Sequence, residues 1–173
     1  MNIGRGLIAS AAGLGLALMA CGGARGADTP PATYSVKQLT PEVALLAAQA
    51  AQAACRLAGH QAAVAVVDRS GVLQVLLRDR YAGPHTVEAA TQKAWTAASF
   101  RMATAAFALE TQPGKPMSGL RALPRVLAAG GGQPIEAGGS LFGGIGVSGG
   151  PGGEADDACA LAGLKAIADL IDF

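Results

Sequence analysis

Val64-Ala65-Val66-Val67-Asp68-Arg69-Ser70-Gly71-Val72-Leu73-Gln74-Val75-Leu76-Leu77-Arg78 is two apolar runs joined by a short polar turn. The first run, from Ala62 to Asp68, is β-branched. The second, from Val72 to Arg78, has the same length, and Arg69-Ser70-Gly71 supplies the turn between them. Run length, turn chemistry and β-branching together predict a β-hairpin. Both strands are mostly apolar, which predicts that at least one is covered on two faces. The pair Asp68-Arg69 is expected to serve the turn.

Outward from the hairpin the pattern changes period. Upstream, Thr40-Pro41-Glu42 is a helix start, with Thr as N-cap, Pro at the first helical position and an acid in the first turn. Val43, Leu46, Ala47, Ala50, Ala54 and Leu57 recur at helical spacing, and Gly59 ends the helix, predicted over 40–58. Downstream, Gly83-Pro84 opens a long Ala-rich helix predicted over 85–108, with Val87, Ala90, Ala94, Ala97 and Ala98 on one face. A Pro-containing loop at 112–119 leads to a short helix predicted over 120–128, which Gly130-Gly131-Gly132 closes. A second pair of strands is predicted at 135–137 and 141–148, and a last helix at 156–171. Two hairpins separated by helices predict an α+β fold, an antiparallel sheet packed against helices.

Composition narrows the function classes. The chain has 173 residues, 4% aromatic and 14% charged, with 25 glycines. A core of Ala, Val and Leu packs closely but buries little area per residue, so association between copies is an expected way to bury more. Basic and acidic residues number 13 and 12. With no strong positive balance and no long basic cluster, nucleic-acid binding is excluded.

Residues 1–27 have the form of an export signal: Arg5, then the uncharged run Leu7 to Ala20, then small residues. At 14 residues that run is shorter than the roughly 20 needed to span a bilayer. Leu18-Met19-Ala20-Cys21 has the form of a lipobox, which makes Cys21 a lipid anchor and the only expected tie to a membrane. Ala24-Arg25-Gly26 offers a competing cleavage site that yields a soluble product. Both readings predict a periplasmic or extracellular domain over 36–173, preceded by a linker at 28–35. An oxidising compartment permits a disulfide between Cys55 and Cys159. Each also sits in an Ala-rich helical stretch, where a buried free thiol is common.

The residues from 36 onward resemble the GlcG/HbpS family, also seen as the C-terminal domain of PduO-type proteins. The hairpin start Val64 to Gly71 carries the resemblance. So do Arg78-Asp79-Arg80-Tyr81-Ala82-Gly83, Thr91-Gln92-Lys93-Ala94-Trp95-Thr96-Ala97-Ala98-Ser99-Phe100, and Gly144-Ile145-Gly146-Val147-Ser148-Gly149-Gly150. The resemblance implies a profilin-like α+β fold, a tendency to form homo-oligomers, and binding of heme or a related tetrapyrrole in some members.

Given that resemblance, His85 is the leading iron ligand. It stands at the start of the long helix, where the macrodipole disfavours an imidazolium, and an iron ligand must be a neutral imidazole. Tyr81 and Thr86 are its substitutes. Arg78, Arg80 or Lys93 would pair with heme propionates, and Phe100 and Trp95 would contact a porphyrin face. The plain alternative for His85 is a surface or capping histidine, and His60, after the helix stop, is expected to be an exposed turn residue. Gly144 to Gly149 matches a dinucleotide fingerprint by letter. The acids Glu154, Asp156 and Asp157 that open the next helix would repel a phosphate, so the glycines are expected to serve close packing. Glu154 and Asp157, one turn apart, are expected to favour the helix dipole. No hydrolase pattern is present. The binding reading stands beside two others: an enzyme acting on heme or another small molecule, and a ligand-free oligomeric accessory subunit.

Overall fold

The Ala62–Arg78 stretch forms the hairpin its sequence predicts, at one side of a four-stranded sheet. The computed structural model describes residues 30–171. The predicted leader, its cleavage sites and Cys21 lie outside the described residues. Residues 30–34 are exposed and without regular structure, and the folded unit begins at Ser35.

The elements run α1 (Pro41–Leu57), β1 (Ala63–Asp68), β2 (Leu73–Arg78), α2 (Thr86–Phe100), α3 (Thr104–Glu110), a 3-10 turn (Ser118–Ala122), β3 (Gly132–Ala137), β4 (Ser140–Ser148) and α4 (Gly153–Ile171). Strand order is β2-β1-β4-β3, with every neighbouring pair antiparallel. β1 is central, pairing Val64 with Leu77 on one side and with Val147 on the other. Its alternation explains the unbroken apolar run. Val64 and Val66 face α1 and α4, while Ala63, Ala65 and Val67 face α2. The fold is thus α+β, with the sheet between a helix pair and a single helix. The Asp68 carboxylate accepts from the amides of Ser70 and Val72 at 2.8 and 2.9 Å, the turn role expected of it.

Small residues set the layer spacing. A Cβ at Gly144 or Gly146 would run into the carbonyl oxygens of Ala94 and Ala90, so α2 lies directly on the backbone of β4. Across the sheet, Gly163 of α4 sits against Ala47 and Ala51 of α1. A disulfide joins these two helices: Cys55 and Cys159 are bonded, with their Cα atoms 5.4 Å apart. This resolves the two readings of the cysteines.

Three element predictions are corrected. The helix expected over 85–108 stops at Phe100, where Arg101 turns left-handed at φ 49°. The chain re-enters helix at Thr104, and Phe107 becomes fully buried with its ring 4.6 Å from Phe100. Burying a Phe is worth about 1.5–3 kcal/mol, enough to offset the roughly 1–2 kcal/mol cost of a left-handed non-glycine residue. The helix expected over 120–128 is only the 3-10 turn, because Pro124 has no amide to continue it. β3 starts at Gly132 rather than Ile135 and contains Pro134, which an edge strand tolerates.

Candidate ligand-binding site

Three chain connections meet at the end of the sheet where β1 begins and where β2 and β4 finish. Ala63 there pairs with Arg78 on one side and Ser148 on the other. Asp79, buried, ties the first two connections. Its amide donates to the Ala62 carbonyl at 3.0 Å, and its carboxylate accepts from the Ala62 amide at 3.1 Å and Arg56 Nε at 2.7 Å. The loop out of β2 is closed by the Ala82 amide donating to the Asp79 carbonyl and by Arg78 donating to the Ala82 carbonyl.

That loop delivers Gly83-Pro84-His85 to the start of α2. The amide and hydroxyl of buried Thr86 both donate to the Gly83 carbonyl, at 3.1 and 2.7 Å. His85 is the N-cap, but its side chain makes no capping bond. Its ring lies over Gly83, where a Cβ would be 2.8 Å from Cε1 and 2.9 Å from Nδ1. The glycine therefore makes room for the imidazole.

A buried ion pair supports the third connection. Lys93 Nζ donates to Asp156 Oδ2 at 2.7 Å and to the Val147 carbonyl at 2.9 Å. Asp156 Oδ1 accepts from the Gly150 amide at 2.8 Å. The pair thus fastens α2, the end of β4 and the Gly-rich turn into α4. Asp157 turns to the next loop, accepting from the Gly131 amide and Gln133 Nε2. It is a loop anchor.

Between the three connections lies an open hollow of about 360 Å³. Gly59, His60, Gln61, Tyr81, Gly83, His85, Thr86, Ser148, Gly149, Gly150 and Asp156 line it. A second depression of about 540 Å³, lined by Arg56, Arg78, Asp79 and Arg80, shares Gln61 and Tyr81 with the first. Tyr81 is 78% exposed, with the Arg80 guanidinium 5.9 Å from its ring centre. Imidazole, phenol and guanidinium groups are thus presented side by side, a donor set suited to a heme iron and its carboxylates. Among the described residues no helix is long and apolar enough to cross a membrane. Nor is there a cluster of three or more His, Cys, Asp or Glu side chains that could hold a bare metal ion.

The structure brings His85, Thr86, Tyr81, Arg78 and Arg80 to this end of the molecule and takes three expected residues away. Lys93 is 5% exposed and committed to Asp156, so it has no charge to offer a propionate. Phe100 is fifteen positions along α2 from His85, about 22 Å at 1.5 Å per residue, and packs on Phe107. Trp95 packs against Gly71 and under the Arg125 guanidinium, 5.0 Å from its ring. His60 is half-buried at the hollow rather than an exposed turn residue. His60, Gln61 and Ser148 carry no motif that marks them, and only the pairing of the start of β1 with the end of β4 gathers them.

The fold and its hollow define a single-sheet α+β domain that presents polar side chains at one sheet end. The chain belongs to the HbpS-like family: the family model described as haem degrading protein HbpS-like matches residues 39–165. Among solved structures, a double mutant of HbpS from Streptomyces reticuli is 36% identical, with a TM-score of 0.75 over 83% of this chain and 97% of that one. The PduOC–heme complex is 31% identical, with a TM-score of 0.72 over 76% of this chain and 96% of the other. The corrinoid adenosyltransferase PduO of Citrobacter freundii is 36% identical over 89 residues, 50% of this chain. That match spans only 27% of the enzyme's length.

Proposed function

We propose that this chain is an exported protein that binds heme or a related tetrapyrrole at the hollow, with His85 as iron ligand. The observation that carries the reading is the convergence of His85, Tyr81 and Thr86 on one hollow beside Arg78 and Arg80. A relative of the same fold solved as a heme complex supports the choice of ligand. Bound heme would supply an iron centre for the imidazole to ligate. The protein's part is to place the imidazole, hold carboxylates with guanidinium groups and shield one face. Arg80 suits the carboxylate role, having no carboxylate partner among the described residues. The sequence of residues 1–27 supports export, and so does the disulfide, which persists in an oxidising compartment.

Hemin titration of the purified protein tests this. A shifted Soret band that saturates near one hemin per chain is expected, and His85→Ala weakens binding at least tenfold. An unshifted spectrum would remove the binding reading, and wild-type behaviour of His85→Ala would remove that ligand. Because the family description names haem degradation, the complex is then incubated with a reductant and oxygen. Intact heme favours capture, and loss of the Soret band favours an enzyme.

We also propose that copies associate through β2, an edge strand. Its Leu73 and Leu76, with the preceding Val72, are exposed, an apolar edge that soluble proteins normally cover. Light scattering on the wild type should give a multiple of the chain mass, and Leu76→Glu should lower it. A monomeric wild type would end this part.

A further inference from the structure

We infer that two copies of the chain pair their first helices, α1 of one running antiparallel to α1 of the other about a two-fold axis at Gln49. This rests on the β2 association proposed above and goes beyond it, to the helix face that completes the same interface and fixes its register.

The free face of α1 is a single stripe. Glu42, Leu45, Leu46, Gln49, Ala53 and Arg56 are exposed, and their spacing of three and four residues sets them on one side of the helix. Ala47, Ala51 and Cys55, on another side, are buried against α4. Between Glu42 and Arg56 the helix carries no charge. Leu45 and Leu46 stand in that uncharged stretch 38% and 40% exposed.

The stripe is complementary to itself when reversed. A two-fold contact sets one residue against a second, and the second against the first. With the axis at Gln49, Glu42 meets Arg56 at both ends, and each Leu45 meets the small Ala53. The two Gln49 amides meet at the axis, where each has N–H groups to donate and a carbonyl to accept. One polar pair among apolar neighbours fixes the register of paired helices. Glu42 makes no ion pair among the described residues. Arg56 spends Nε and Nη2 on Asp79, which leaves Nη1 for a second carboxylate.

The β2 edge sets the two helices at packing distance. α1 lies over the gap between β1 and β2, half a strand spacing inside the sheet edge. Pairing β2 with β2 of a second copy puts the axis half a spacing outside that edge. The two helices then stand two strand spacings apart, about 9.6 Å, and helices pack at roughly 8–10 Å. The levels agree as well. Gln74 Nε2 donates to the Leu39 carbonyl just before α1, and Arg56, near the end of α1, donates to Asp79 just after β2. Gln49, the middle of α1, is therefore level with the middle of β2, where Leu76 is exposed. One axis serves both elements.

The test is cysteine trapping in the full chain, with mild oxidation read on non-reducing gels, beside light scattering. Wild type, which carries Cys21, gives the baseline. Gln49→Cys is expected to give at least fivefold more covalent dimer than wild type. Ala53→Cys alone is expected to stay at baseline, because its own copies lie about 12 Å apart along the helix. Mixed with Leu45→Cys it is expected to be trapped. Glu42→Arg, which sets like charges face to face, is expected to weaken association about tenfold at low salt. Glu110→Arg, on α3, is expected to leave it unchanged. An associated wild type with Gln49→Cys at baseline overturns the inference while the β2 reading stands. Equal trapping of Ala53→Cys alone and in the mixture overturns it too, as does undiminished association of Glu42→Arg. A monomeric wild type removes both.

Discussion

Lys93 and Asp156 show how a residue's type can mislead about its task. A lysine on a helix beside a proposed anion site invites pairing with the ligand. Here the ammonium finds its counterion, Asp156, 63 positions away and is spent on it. Breaking such a pair is costly because the remaining charge stays buried without a partner, about 3–5 kcal/mol. Lys93→Met is expected to lower the free energy of unfolding by about that much in urea denaturation. Adding Asp156→Leu to it should cost much less than the sum of the two single changes. Additive losses would mean that the pair is not coupled. The position of His85 at the start of α2 was legible, since its Gly83-Pro84 approach is a local feature. His60 and Ser148 were not, because each lies in a stretch whose own pattern says only turn or strand end.

At the scale of elements, local signals carried most of the fold. Thr40-Pro41 set the start of α1, with the Thr40 hydroxyl accepting from the Val43 amide as a cap should. Arg69-Ser70-Gly71 set the hairpin, and the apolar run of β1 announced its two covered faces. The break between α2 and α3 left no trace, because neither Gly nor Pro stands at Arg101. The burial of Phe107 decides it, and burial is a property of the assembled molecule. The glycines of β4 were expected to permit close packing, and they do. Gly146→Ala is expected to destabilise by about 3 kcal/mol, since a methyl there meets the Ala90 carbonyl of α2. Gly119→Ala, where a Cβ meets nothing within 4 Å, should stay within about 0.5 kcal/mol of wild type. Denaturation midpoints of the two variants check both. Equal losses would show that α2 can shift away from β4 at no cost.

For the molecule as a whole, the covalent link between α1 and α4 matters most. The cysteines it joins are 104 positions apart, and closing a loop near that length removes about 4–5 kcal/mol of freedom from the unfolded chain. Reduction should therefore lower stability by about 4 kcal/mol, measured by unfolding with and without a thiol reductant under argon. An unchanged midpoint would mean that helix packing alone holds the layer. The link also orders biosynthesis. A chain leaving a ribosome or a translocation channel amino end first presents Cys55 long before Cys159 arrives. Throughout that interval the first helix has neither its bonded mate nor the last helix to rest on. Only one other thiol, Cys21, exists in the sequence to claim it by mistake. The molecule is thus sealed only when almost all of it has been delivered, and a host that keeps thiols reduced yields it unsealed.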